Sequence, residues 1–142
     1  LRRSPQMIYV TRKVHFNAAH RMHNPKWTDA QNAEVFGPCN NANWHGHNYE
    51  LEITLRGEPD PETGYLMDLG KLKTLVQREV LDHVDHKNLN LDVPFMQDII
   101  PSSENFAIAI WRRLEPHIAS PAVLHCVRLW ETPRNYVEYY GD

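Results

Sequence analysis

Long apolar runs are missing from this chain. No stretch approaches the roughly 20 residues that a membrane-spanning helix needs, and the first residues, Leu1 to Met7, contain no apolar core of a secretion signal. Cysteine is scarce, with only Cys39 and Cys126. That excludes a disulfide framework and points to a reducing, cytoplasmic setting. A strong charge of either sign is also missing. The formal net charge is -3 and the pI is about 6.3, so no bulk field draws the chain to nucleic acid. Glycine is limited to 6 residues and no internal repeat is visible, which rules out collagen-like and low-complexity chains. The 142 residues are 42% hydrophobic and 23% charged, the balance of one ordinary globular domain. The chain starts without Met, which suggests a trimmed or partial N-terminus. Residues 1–7 read as a loose lead-in to a single domain over 8–142.

Histidine is abundant, with nine residues in all, and it is the commonest metal ligand. The pattern around those histidines comes first from the strands. Ile8, Val10, Val14, Phe16 and Ala18 share one parity, with Arg12 as the exception, which reads as a half-buried strand. Arg21 to Asn43 reads as a long loop with one helical turn near Thr28–Val35. Tyr49, Leu51, Ile53 and Leu55 alternate in a second strand, followed by a turn at Pro59 to Gly64. Asp68 can cap a helix running to about Val84, with Leu72, Leu75, Val76 and Val80 on its apolar face. His83 to Ile100 reads as loop. Pro101-Ser102-Ser103-Glu104 opens a second helix, striped by Phe106, Ile110 and Leu114 and stopped near Pro116. Strands around Val123–Glu131 and Tyr136–Tyr140 finish a β-β-α-α-β-β order. That order fits an α+β antiparallel sheet with two helices on one face.

His45-Gly46-His47 has the parity of the second strand, and His20 has that of the first. Antiparallel pairing would bring the end of one strand beside the start of the other. All three imidazoles would then leave the same face at one edge. Three neutral histidines leave a position open on tetrahedral zinc, as in catalytic sites. Gly46 would let the backbone pass close to the ion. A His-x-His pair alone also occurs in surface turns, and His23 is a rival third ligand. His15 has the solvent parity, and His83, His117 and His125 read as structural or exposed. Cys39, six residues before His45, can act as a thiolate base beside a cation. The adjacent Asp85 and His86 suit a carboxylate-oriented imidazole. Glu131 can take two donors from an aminopyrimidine ring or be a solvated strand end. Glu104 suits a helix N-terminus, and Cys126 reads as a small core residue.

Together these residues resemble the 6-pyruvoyl-tetrahydropterin synthase family. The resemblance lies in Phe16 to Arg21, Cys39 to Tyr49, Leu81 to Leu89, Ser102-Ser103-Glu104-Asn105 and Leu129 to Thr132, in that order and spacing. It implies the tunnelling fold, whose subunits close into a trimeric barrel that stacks into a homohexamer with active sites between subunits. It also implies roles. His20, His45 and His47 match zinc ligands, Cys39 the catalytic thiol, and Asp85 and His86 its acid–base partners. Glu131 matches the pterin-anchoring carboxylate, with Ser103 and Glu104 in a second pterin-contacting segment. The implied substrate is 7,8-dihydroneopterin triphosphate, a small molecule. Two departures stand out. Trp44 replaces a glycine common before His-Gly-His, and Ser102-Ser103 replaces a threonine pair. A sister activity, 6-carboxytetrahydropterin synthesis, is an alternative, although the five-residue gap between Cys39 and His45 resembles the biopterin-type enzymes better. A non-catalytic zinc or pterin binder is the alternative from another class. A zinc hydrolase is a third and weaker alternative, since this chain has no His-Glu-x-x-His motif.

Overall fold

The computed structural model describes residue 4 and residues 6–142. Residues 1–3 and 5 of the expected lead-in lie outside the described residues. The elements run β1 (Ile8–His20), α1 (Asp29–Phe36), β2 (His45–Gly57), α2 (Leu69–Val76), α3 (Asp82–Val84), β3 (Lys87–Asn88), α4 (Ser103–Leu114), β4 (Val123–Thr132) and β5 (Asn135–Tyr139). The strands form one sheet in the order β3-β1-β2-β4-β5. Tyr49, Leu51, Ile53 and Leu55 put one face of β2 wholly out of solvent, where Leu72, Val76, Phe106, Ile110 and Leu114 of the helices meet them. Period-2 and period-3.6 apolar patterns therefore converge on one core.

Three features correct the reading from sequence. The sheet is mixed, because β3 pairs parallel to β1 at Ala18 and Ala19 while the other pairs are antiparallel. A two-residue strand is too short to show any period, so His83 to Ile100 read as loop. The single turn expected near Thr28–Val35 is a full eight-residue helix, α1. Thr28 caps it by accepting from the Gln31 amide at 3.1 Å. Buried Asn32 ties it back to Asn24 and Thr28. Among the described residues, three helical bodies therefore replace the expected two.

The helix begun by Asp68 does run to Val84, but through a π turn over Gln77–Leu81 that joins α2 to α3. Arg113 of α4 holds that turn. Its Nε donates to the Glu79 carbonyl at 3.1 Å, and its Nη2 lies 2.8 Å from the Glu79 carboxylate. The same guanidinium covers the Phe95 ring at 5.1 Å. The π turn delivers Asp85 to the edge of β1, where its carboxylate accepts from the Asn17 amide at 3.0 Å.

Candidate metal centre

β2 begins at His45, so the alternation that buries Tyr49 also governs His45 and His47. Its antiparallel register sets His20 opposite His45 and Ala18 opposite His47. The three rings consequently meet on the helix-facing side. Centroids lie 4.5 Å apart for His20 and His45, and 5.0 Å for each of the other two pairs. One ligand atom from each ring falls within 4.8 Å of the other two.

Hydrogen bonding fixes what the innermost ring offers. His20 is only 1% exposed, and its Nδ1 lies 2.8 Å from the Pro101 carbonyl. A carbonyl only accepts, so Nδ1 carries the proton and Nε2 keeps its lone pair. Nε2 of His20, both ring nitrogens of His45 and Nε2 of His47 are buried without a hydrogen-bond partner. Burial lowers the pKa of His20, with the neighbouring His45 adding to the effect. Burial and then His47 lower that of His45. Neutral imidazoles with buried, unused lone pairs are what a divalent ion requires. His23 is not part of the group, since its Nδ1 engages the Asn40 side chain at 3.0 Å. His15 is exposed, as its parity required. Gly46 is not needed for close approach, because a Cβ there would only touch the Ala18 carbonyl at an ordinary 3.6 Å.

Glu131 stands beside the rings rather than in solvent. One carboxylate oxygen accepts from the Ser103 hydroxyl at 2.5 Å. The other lies 3.4 Å from His47 Nε2, without hydrogen-bond geometry. Tyr49 is fully buried between Phe16, Phe106 and the histidines. Its hydroxyl lacks a partner, and burial, then Glu131, pushes its pKa far up, so it stays protonated. Glu104 is exposed one residue along from Ser103.

The other sequence candidates fall in two places. Cys39 is exposed on a short 3-10 turn, Gly37–Asn40. That turn is tied to the chain just after His20, because Met22 donates its amide to the Cys39 carbonyl at 2.8 Å and Arg21 Nε donates to the Asn40 carbonyl at 3.0 Å. Asp85 and His86 meet each other at 2.9 Å, and His86 sits at φ 61°. A hollow of about 500 Å³ is lined by His86, Lys87, Asn17, Asn48 and His47. A second of about 590 Å³ shares His47 and adds Trp130 and Glu131. Cys126 is buried as expected, opposite Thr54, with burial raising its pKa. His83 lies against Phe95 and Arg113, His117 reaches Glu79, and His125 sits between Tyr9 and Tyr140.

Sequence reasoning missed Pro101, Asn105 and Asn90. Pro101 acts through a backbone carbonyl, which no residue type announces. Asn90 both accepts from and donates to the Arg21 backbone, at 2.9 and 3.0 Å, extending the edge of β1 past its last residue. The alternating Asn and Leu of that stretch was the available signal.

Comparison with known proteins agrees with this geometry. A family model described as 6-pyruvoyl tetrahydropterin synthase matches residues 9–142. The chain is 41% identical over 135 residues to a 6-pyruvoyl tetrahydrobiopterin synthase of Drosophila melanogaster, covering 95% of this chain and 80% of that protein. It is 41% identical over 133 residues to the Homo sapiens protein of the same name, covering 94% and 91%. The solved structure of Caenorhabditis elegans 6-pyruvoyl tetrahydropterin synthase superposes with a TM-score of 0.90 at 45% identity, over 96% of this chain and 97% of that one. The chain belongs to the 6-pyruvoyl tetrahydropterin synthase family.

Proposed function

We propose that this chain is a zinc-dependent lyase that converts 7,8-dihydroneopterin triphosphate to 6-pyruvoyl-tetrahydropterin, releasing inorganic triphosphate, in tetrahydrobiopterin synthesis. The observation that carries the reading is the group of three imidazoles, His20, His45 and His47, each with a buried ring nitrogen that lacks a hydrogen-bond partner. These three residues would hold the ion. When bound, zinc supplies Lewis acidity toward the side-chain oxygens of the substrate.

The remaining steps belong to the chain. Cys39, as thiolate, takes a proton from the side-chain carbon, and the electron pair left behind expels triphosphate. His86, oriented by Asp85, carries protons as the side chain tautomerises to the diketone. Glu131, with Ser103 and Glu104, holds the pterin so that the reacting carbon stays in place. The contact between Ser103 and Glu131 supports treating those two as one unit.

The active assembly is a homohexamer, a dimer of barrel-shaped trimers. Among the described residues, β1 has no strand partner beyond β2 over 8–17, and β5 pairs only with β4. Those two open edges supply complementary backbone for ring closure. Closure also supports an interface site in which the Cys39 turn of one copy faces Asp85 and His86 of the next. No helix among the described residues is long and apolar enough to cross a membrane. The exposed thiol Cys39 suits a reducing cytoplasm.

The test is incubation of the zinc-loaded protein with 7,8-dihydroneopterin triphosphate and identification of the pterin by mass. The expected products are 6-pyruvoyl-tetrahydropterin and triphosphate. Acetaldehyde with 6-carboxytetrahydropterin would assign the sister activity instead. No triphosphate release from fully metallated protein would leave a binding protein.

A further inference from the structure

The segment that leads into α4 lies beside two of the three histidines. Ser103 donates to Glu131, whose other oxygen is 3.4 Å from His47 Nε2, while Pro101, two residues before the helix, meets His20 directly. The Pro101 carbonyl is only as well aimed as the turn that carries it. That turn is fixed at Ile100, whose carbonyl accepts twice, from the Ser102 amide at 2.9 Å and from Asn105 Nδ2 at 2.9 Å. Asn105 is itself held, since its amide donates to the Ser102 hydroxyl at 3.1 Å. Its two groups thus grip both sides of buried Pro101, whose ring already fixes φ.

We propose that Asn105 is a positioning residue for the metal centre: by pinning the Ile100 carbonyl it aims the Pro101 carbonyl at His20 Nδ1, and so presents His20 Nε2 to the ion. This rests on His20, His45 and His47 being the ligands and is independent of the reaction assigned to the site. Groups that orient a metal-bound imidazole commonly set affinity by about 10- to 100-fold. Asn105 acts one bond further out, so about tenfold is expected.

The decisive variant is Asn105→Asp. A carboxylate in the first turn suits the helix N-terminus, so α4 keeps its start. It has no N–H, however, and repels the Ile100 carbonyl instead of donating to it. Three quantities are read: zinc affinity by chelator competition, the visible spectrum of the cobalt-substituted protein, and the melting temperature of the metal-free protein. The wild-type chain should bind one zinc, and failure there would reject the ligand set rather than this inference. The expected result for Asn105→Asp is a zinc affinity about tenfold weaker, shifted cobalt bands and an unchanged metal-free melt. Asn105→Ala should weaken zinc to the same degree, and it carries the test should the aspartate variant fail to fold. Wild-type affinity and spectrum in a folded variant would overturn the proposal. So would an affinity loss that merely tracks lost stability of the metal-free protein in both variants.

Discussion

Trp44 carries the one chain departure whose cost can be read from a backbone angle. It sits at φ 70°, a region that costs a side-chain-bearing residue about 1–2 kcal/mol and glycine nothing. A glycine at this position would thus be favoured by the turn into β2, not by the ion. Trp44→Gly should shift stability by no more than about 1 kcal/mol, relief of strain offsetting chain entropy and lost packing. Trp44→Val should destabilise clearly more, since β-branching is least tolerated at that angle. Thermal melts of the two variants check the order. Among the proposed ligands, His45→Ala should abolish stoichiometric zinc while leaving the fold, which metal analysis and circular dichroism would show. Cys39→Ala should retain zinc and lose about 10²–10⁴-fold in turnover; near-normal turnover would remove the thiol from the chemistry. The imidazoles were legible in the sequence because period 2 and one register decide where they go. The partners of Glu131 were not, since its contact with Ser103 joins residues 28 positions apart and depends on how α4 packs.

At the scale of elements, the long periodic segments were legible and the short ones were not. α2 and α4 announce themselves by apolar stripes, whereas β3 has two residues and takes its identity entirely from lying beside β1. The π turn was equally hidden, because one extra residue in a helix leaves hydropathy nearly unchanged. It does rotate everything after it by about 100°, and that rotation is what brings Asp85 to Asn17. Arg113→Met should loosen this turn. Amide exchange should quicken from Gln77 to His86 and kcat should fall, with zinc content unchanged. On the other side of the molecule, Arg128 donates to Glu138 through Nε and Nη2 at 3.1 and 2.8 Å. This holds the Glu138 carboxyl below its ordinary value of 4.5. A depressed folded value means the stabilisation is intact above the unfolded pKa and is lost as pH falls through the folded one. Amide protection across β4 and β5 should weaken with acid in that window, and Glu138→Gln should flatten the dependence.

At the scale of the whole molecule, the layered α+β architecture follows from element order, but the proposed ring does not, because edges seek partners only once the sheet exists. Light scattering should give the mass of six chains, and specific activity should fall on dilution below the assembly constant if neighbouring copies complete each site. Constant specific activity down to a monomeric mass would place all the chemistry in one chain. The helix-free face bears on how such a ring would respond to its solution. Lys13 pairs with Glu50 at 3.0 Å, and Arg128 bridges Glu52 and Glu138 at 3.8 and 2.8 Å. Each copy would therefore bring its own counterions to the lumen of the proposed ring. With Arg56, which shares the parity of Glu50 and Glu52 on β2, this face carries three cations against three carboxylates, so three such walls would meet around an axis without accumulating charge of one sign. Closure of the proposed ring should then be nearly indifferent to ionic strength, and the passage it would enclose should admit anions and cations without strong preference.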